Sequence, residues 1–102
     1  MRMSLGAEYY EKQIALWAVR GRHRIKSKKV VSAIERAADN IGSDIVMPEL
    51  RRKLKDAVLL NCDDRKAYPF RYLGVDFVSE SDFYRRKELF LSQVYTFAFG
   101  RV

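Results

Sequence analysis

Apolar residues recur at helical spacing in four blocks of this chain, separated by polar, basic or glycine-bearing breaks. In the first block Leu5, Tyr9, Ile14, Trp17 and Ala18 recur at three- to five-residue steps, with Glu8, Glu11 and Lys12 elsewhere. The pattern predicts a helix from about Ser4 to Arg20, with Gly21 as its stop. A second helix should open at Ser27, a good N-cap residue, and carry the stripe Val30, Ile34, Ala37, Ala38 and Ile41. Gly42 follows in the place of the usual C′ residue.

A third helix should start at Pro48, whose fixed φ and missing N–H suit a first helical position. Leu50, Leu54, Ala57 and Val58 line one of its faces, Arg51, Arg52, Lys53 and Lys55 the rest, and it should end between Asn61 and Asp64. Residues 66–79, KAYPFRYLGVDFVS, are the least helical part of the chain. Pro69 pushes Ala67 and Tyr68 toward extended geometry, Gly74 marks a turn, and Val75, Phe77 and Val78 prefer strand. They read as an ordered loop with room for a short β element, pinned by Phe70, Tyr72 and Leu73. Ser79 then opens a last helix, with Asp82 three residues on in a capping-box arrangement. Its stripe is Phe83, Phe90, Val94 and Phe97, edged by Leu91 and Ala98. The expected fold is one all-α domain, residues 1–102: a small bundle of about four helices with one ordered loop. Its core should contain Ile14, Trp17, Ile34, Leu54, Phe83, Phe90 and Val94.

Composition narrows the class. At 102 residues, 48% hydrophobic and 32% charged, the chain can bury one modest core and is not globally disordered. No apolar run approaches the ~20 residues that cross a bilayer. The start, MRMSLGAEYYEKQ, has no signal-peptide centre, and the lone Cys62 has no partner for an internal disulfide, so the expected compartment is the cytoplasm. The 20 Lys and Arg against 13 Asp and Glu give a net charge of +7, which favours nucleic acid, an acidic protein surface or anionic lipid, in that order.

Candidate chemistry is sparse. The single His23 lies between arginines and reads as a surface residue, no metal site can be drawn, and no glycine-rich phosphate loop is present. Cys62 has acidic neighbours that oppose its thiolate and reads as a partly buried helix-end residue. Neither an enzyme nor a cofactor is expected. The segment RGRHRIKSKK, residues 20–29, holds six cations in ten positions: Arg20, Arg22, Arg24, Lys26, Lys28 and Lys29. It reads as a phosphate-contacting loop; the alternative is a solvated turn that keeps the domain soluble. On the last helix, Arg85 lies opposite the Phe83/Phe90/Val94 direction, while Tyr84 and Arg86 fall on the flanks. Lys87 projects near the core stripe and would have to snorkel out along it. Ser81, Tyr84, Arg85 and Glu88 should therefore face outward from the early turns, the part with which a recognition helix reads the major groove. Arginine there can donate two hydrogen bonds to guanine.

The string VSESDFYRRKELFLSQVYTFAFG resembles the C-terminal end of phage transcriptional regulators of the RinA and ArpU type, which end in a sigma-factor-region-four-like helix-turn-helix. Their pattern is Ser-Glu-Arg, any residue, Phe-Tyr-Arg, a basic residue and an Ala-Tyr-Ala-Leu-Gly-like close. Ser79, Glu80, Phe83, Tyr84, Arg85 and, loosely, Tyr95 to Gly100 match it. The resemblance implies a modified helix-turn-helix-like C-terminal half and DNA contact from Ser79, Ser81, Tyr84, Arg85 and Arg86. It covers about a quarter of the chain. The family has a short acidic helix just before this serine, where this chain has AYPFRYLGVDF. Either residues 49–61 act as the supporting helix across a long loop, or the unit is degenerate. The expected function is a small double-stranded-DNA-binding regulator of phage or mobile-element type, its oligomeric state open and compatible with a dimer. The alternative is a phage-type protein-binding inhibitor, for example of a host nuclease or polymerase, that turns its basic face on an acidic partner.

Overall fold

The computed structural model describes the backbone of residues 4–100 and the side chains of residues 9–100. The expected contributions of Leu5 and Glu8 to the first helix lie outside the described side chains. Among the described residues the chain is all-α: α1 (Ser4–Arg20), α2 (Lys28–Asp39), α3 (Pro48–Asp63) and α4 (Glu80–Phe99), with a 3₁₀ turn at Phe70–Tyr72 and no strand. The starts of α2 and α4 follow from their caps. The Ser27 hydroxyl accepts from the Val30 N–H at 3.3 Å, and the Ser79 hydroxyl accepts from the Asp82 N–H at 3.1 Å, each satisfying a donor the first turn leaves unpaired. The capping box is only half formed, because the Asp82 carboxylate turns to Arg85 and Arg86 instead. Pro48 is the first residue of α3. Gly42 lies one position later than expected, two residues beyond the cap Asn40, and its φ of 73° turns the chain toward α3.

α4 is the central helix. It packs chiefly on α2 and next on α1. Asp44 meets Arg86, Asn40 meets Gln93 and Arg36 lies over the Phe97 ring, so rising numbers along α2 and its C-terminal turn meet falling numbers along α4. The two helices run antiparallel. Ile34, Leu54, Phe83, Phe90 and Val94 are buried as the pattern predicts, joined by Ala37, Ala38, Val58, Leu91 and Val75.

The inward face of α1 differs from the expectation. Trp17 is 68% exposed and Ile14 40% exposed, while Ala15 and Val19, four residues apart, are fully buried. Small residues on this face let the α1 backbone lie close to the bundle. The larger apolar side chains point the other way, which a wheel apolar on both sides could not reveal.

Residues 64–79 are ordered by turns rather than by a β element. Asp64 Oδ1 accepts from the N–H groups of Lys66 and Ala67, the 3₁₀ turn follows Pro69, and Val78 N–H bonds to Val75 O. With no second strand among the described residues to pair against, local turns satisfy the backbone groups that an extended segment would leave open. Val75 and Phe70 still anchor the segment, Val75 by burial and Phe70 by its ring, 5.4 Å from that of Phe83. A compact helix-turn-helix joins its helices by three or four residues. Here α3 and α4 are joined by the sixteen residues 64–79.

Candidate nucleic-acid interface

The cations of residues 20–29 separate into two groups. Arg22 is committed to the fold: its guanidinium grips both oxygens of Asp63 at 2.7 and 3.1 Å and also donates to Val19 O at 2.7 Å. Its pKa is raised, first through the hydrogen bond to Asp63. Arg20 donates from Nε to Cys62 O at 2.7 Å. These two contacts staple the C-terminus of α1 to that of α3. Arg24, Lys26, Lys28 and Lys29 are exposed, with no ion pair or side-chain hydrogen bond among the described residues. Lys28 and Lys29 open α2, whose first turn holds no acid. Cations there add to the positive end of the helix dipole rather than offset it.

The early turns of α4 likewise divide. Arg85 is 78% exposed and points outward, tethered to Asp82, and Ser81 is exposed beside it. Ser79 is occupied as the N-cap. Tyr84 does not share the outward face: it is half-buried, its ring lies edge-on to Phe83 at 5.2 Å, and the Arg65 guanidinium sits over it at 4.8 Å. Arg86 is also withdrawn from the expected contact set. Its two terminal nitrogens hold the two Asp44 oxygens at 2.8 Å each, and its Nε holds Asp82 at 2.9 Å. That clamp ties the α2–α3 turn to α4.

Hydrogen bonds from Arg86 hold the Asp44 carboxyl down at about 2 and lower that of Asp82 as well. A carboxylate depressed in the folded state contributes stability above its unfolded pKa of about 4 and loses it as pH falls through the folded value. The clamp should therefore weaken between about pH 4 and the Asp44 value of about 2. Arg86→Met should lower the melting temperature at neutral pH and flatten the acid limb in that window. An acid limb identical to the parent's would contradict the assignment.

Three residues absent from the sequence-level site complete the picture. Lys87 does not escape to water along the core; its Nζ ends on the Oδ1 of the fully buried Asn61 at 2.7 Å. Burial is the main cause that lowers its pKa, and the Arg65 and Arg20 charges act in the same direction. Lys87, Arg65 and the predicted Arg20 and Tyr84 line a groove of about 410 Å³ between α1 and α4. The signal for this was the presence of polar residues on two apolar stripes: Asn61 continues Leu54 and Val58 on α3, and Lys87 lies four residues from Phe83 on α4.

Cys62 is fully buried rather than partly so, and burial, with Asp63 adding to it, pushes its thiol up to about 11. It stays protonated at neutral pH, unsuited to nucleophilic work. His23 lies on the rim of a cleft of about 470 Å³ between α2 and α3 that also carries Glu35 and Asp39. No hydrogen bond joins it to either acid among the described residues, and Asp39 is held by Lys55 at 3.1 Å. No three of His, Cys, Asp and Glu among the described residues could hold a metal ion together. No helix of the described residues is long and apolar enough to cross a membrane. Comparison with protein-family models, curated proteins and solved structures finds no match.

Proposed function

We propose that this chain is a small non-enzymatic regulator, of phage or mobile-element type, that binds double-stranded DNA through the turn between α1 and α2. The observation that carries the reading is the group Arg24, Lys26, Lys28 and Lys29, unneutralised among the described residues and set at a helix N-terminus whose first turn holds no acid. Such a group repels itself, and phosphates relieve it; the same chain neutralises Arg22 and Arg86 with carboxylates. In this reading the turn fixes position on the backbone, and Arg85 with Ser81 is the base-reading element. The tether from Arg85 to Asp82 is exposed and cheap to break. Glu80 and Asp82 make the start of α4 a poor phosphate site, so backbone contact belongs to α2.

The test is duplex binding by fluorescence anisotropy over a salt series. Log affinity should fall linearly with log salt, by about 0.9 per neutralised phosphate. Replacing Arg24, Lys26, Lys28 and Lys29 by alanine should lower that slope by about 3 to 4, while Arg22→Ala should leave it unchanged. Arg85→Ala on a selected site should lose about 1–3 kcal/mol and less on scrambled duplex. A parent without salt-dependent duplex binding would exclude the reading.

A second reading, a protein-binding module, draws support from α1. Tyr10 and Trp17 are 67% and 68% exposed and, with Ile14 between them, form a stripe at positions i, i+4 and i+7 directly opposite Ala15 and Val19. Exposed apolar stripes of this kind mark interaction surfaces. Trp17→Ser should leave stability within about 0.5 kcal/mol of the parent and should remove binding to a protein partner while sparing DNA. Loss of several degrees in melting temperature would place Trp17 in the fold instead.

A further inference from the structure

We infer that the groove between α1 and α4 is a phosphate-binding site in which Arg20, Arg65 and Lys87 take the anion. The three cations are held in the same way. Each is oriented by a neutral group: Arg20 by the Cys62 carbonyl at 2.7 Å, Lys87 by the Asn61 amide oxygen at 2.7 Å, and Arg65 by the face of the Tyr84 ring at 4.8 Å. A carbonyl, an amide and a ring fix a cation's position without cancelling its charge. Elsewhere carboxylates hold Arg22, Lys55 and Arg86, while Arg51 on the Ile45 carbonyl and Arg36 over the Phe97 ring are held singly by neutral groups. Among the described residues, only this groove gathers three cations held so. The one acid that lines the groove among the described residues, Glu88, is taken by Lys12 at 3.0 Å. Among the described residues, no carboxylate lies within ion-pair reach of the three.

The three line one groove, and the Arg65 and Arg20 charges both disfavour the protonated form of Lys87. Like charges gathered on one groove repel, most of all at the half-buried Lys87, and an anion joining them relieves that repulsion. Phosphate fits the donor set: an ammonium as a point charge, two guanidinium groups offering planar donor pairs, and several oxygens to share among them. Tyr9 lies on the groove and is 60% exposed, leaving a ring for a base or sugar bonded to the phosphate. The phosphate could be free, as in a mononucleotide, or belong to a nucleic-acid strand; the groove chemistry is the same. This site uses none of the four cations of the α1–α2 turn, so it stands apart from the duplex reading.

The test measures binding of inorganic phosphate, of a 5′-mononucleotide and of a short single strand, by calorimetry and thermal shift, against chloride at matched ionic strength. At least one phosphate ligand should stabilise the parent. Lys87→Gln keeps a donor for Asn61 and should weaken binding about tenfold; Arg65→Gln, at an exposed position that folding does not require, should do the same. Binding by the mononucleotide and phosphate assigns a free ligand. Variant-sensitive binding by the strand alone assigns a nucleic-acid phosphodiester, and both outcomes support the site. The variant lacking Arg24, Lys26, Lys28 and Lys29 should bind the same ligand as the parent does, which separates this result from failure on duplex DNA. No phosphate-dependent stabilisation in the parent, or one that persists in the folded Arg65→Gln variant, would overturn the inference.

Discussion

Phe83→Ala should destabilise the protein by about 3–5 kcal/mol, which is about a fifth or more of the stability of an ordinary domain of this size. Phe83 is fully buried, and its ring meets those of Phe70 and Tyr84 at 5.4 and 5.2 Å. Truncation leaves a cavity where α4 receives the connector, and Phe70 loses the surface it packs on. The 3₁₀ turn at residues 70–72 should loosen with it, so amide exchange in residues 64–79 should accelerate beyond the global change. Urea unfolding gives the stability, and hydrogen exchange gives the distribution. A loss under about 1 kcal/mol would mean that the connector is held by something other than this aromatic contact. The prediction also has a functional side: a loosened α4 should weaken any contact made through Arg85 without singling out a DNA sequence.

The sequence made the helices legible because their signals are local. Ser27, Pro48 and Ser79 mark starts through chemistry that acts within one turn, and the stripes of α2, α3 and α4 each have one main buried side, although α4 also leaves Leu89 and Phe99 exposed. For α1 the boundaries could be read but not the facing. With Ala15, Leu16 and Val19 on one side and Tyr10, Ile14 and Trp17 on the other, size favours the wrong side and close approach selects the right one. The strand preference of Val75, Phe77 and Val78 was real but had no partner strand among the described residues to express it.

The candidate site was legible as a density of charge and illegible as an arrangement. Arg22 and Arg24 look alike in RGRHR, yet Arg22 is spent on Asp63, 41 residues away. Arg86 is likewise spent on Asp44, 42 residues away. Pairings across such separations depend on how helices cross, which no local pattern encodes. Arg85 pointed outward as the wheel requires, because its direction follows from Phe83, Phe90 and Val94 on the same helix.

Asn61→Ala should cost about 2–3 kcal/mol, although it removes only a few atoms and opens little space. Asn61 is the one buried polar side chain among the described residues, and it is used at both ends. Its Nδ2 donates to the Tyr68 carbonyl at 2.8 Å, and its Oδ1 accepts from the Lys87 ammonium at 2.7 Å. Alanine leaves a carbonyl and a half-buried ammonium without these partners, and the ammonium is the more expensive loss because burial already disfavours its charge. The connector would lose its tie to α3 at Tyr68 in the same step. If the ammonium dominates, Lys87→Met in the Asn61→Ala background should recover part of the loss, with a coupling energy of about 1 kcal/mol or more in a double-mutant cycle. Strict additivity would instead assign the loss to the Tyr68 contact. The same cycle bears on the groove: Asn61 holds Lys87 without neutralising it, so Asn61→Ala should let the lysine move and weaken phosphate binding even in molecules that remain folded.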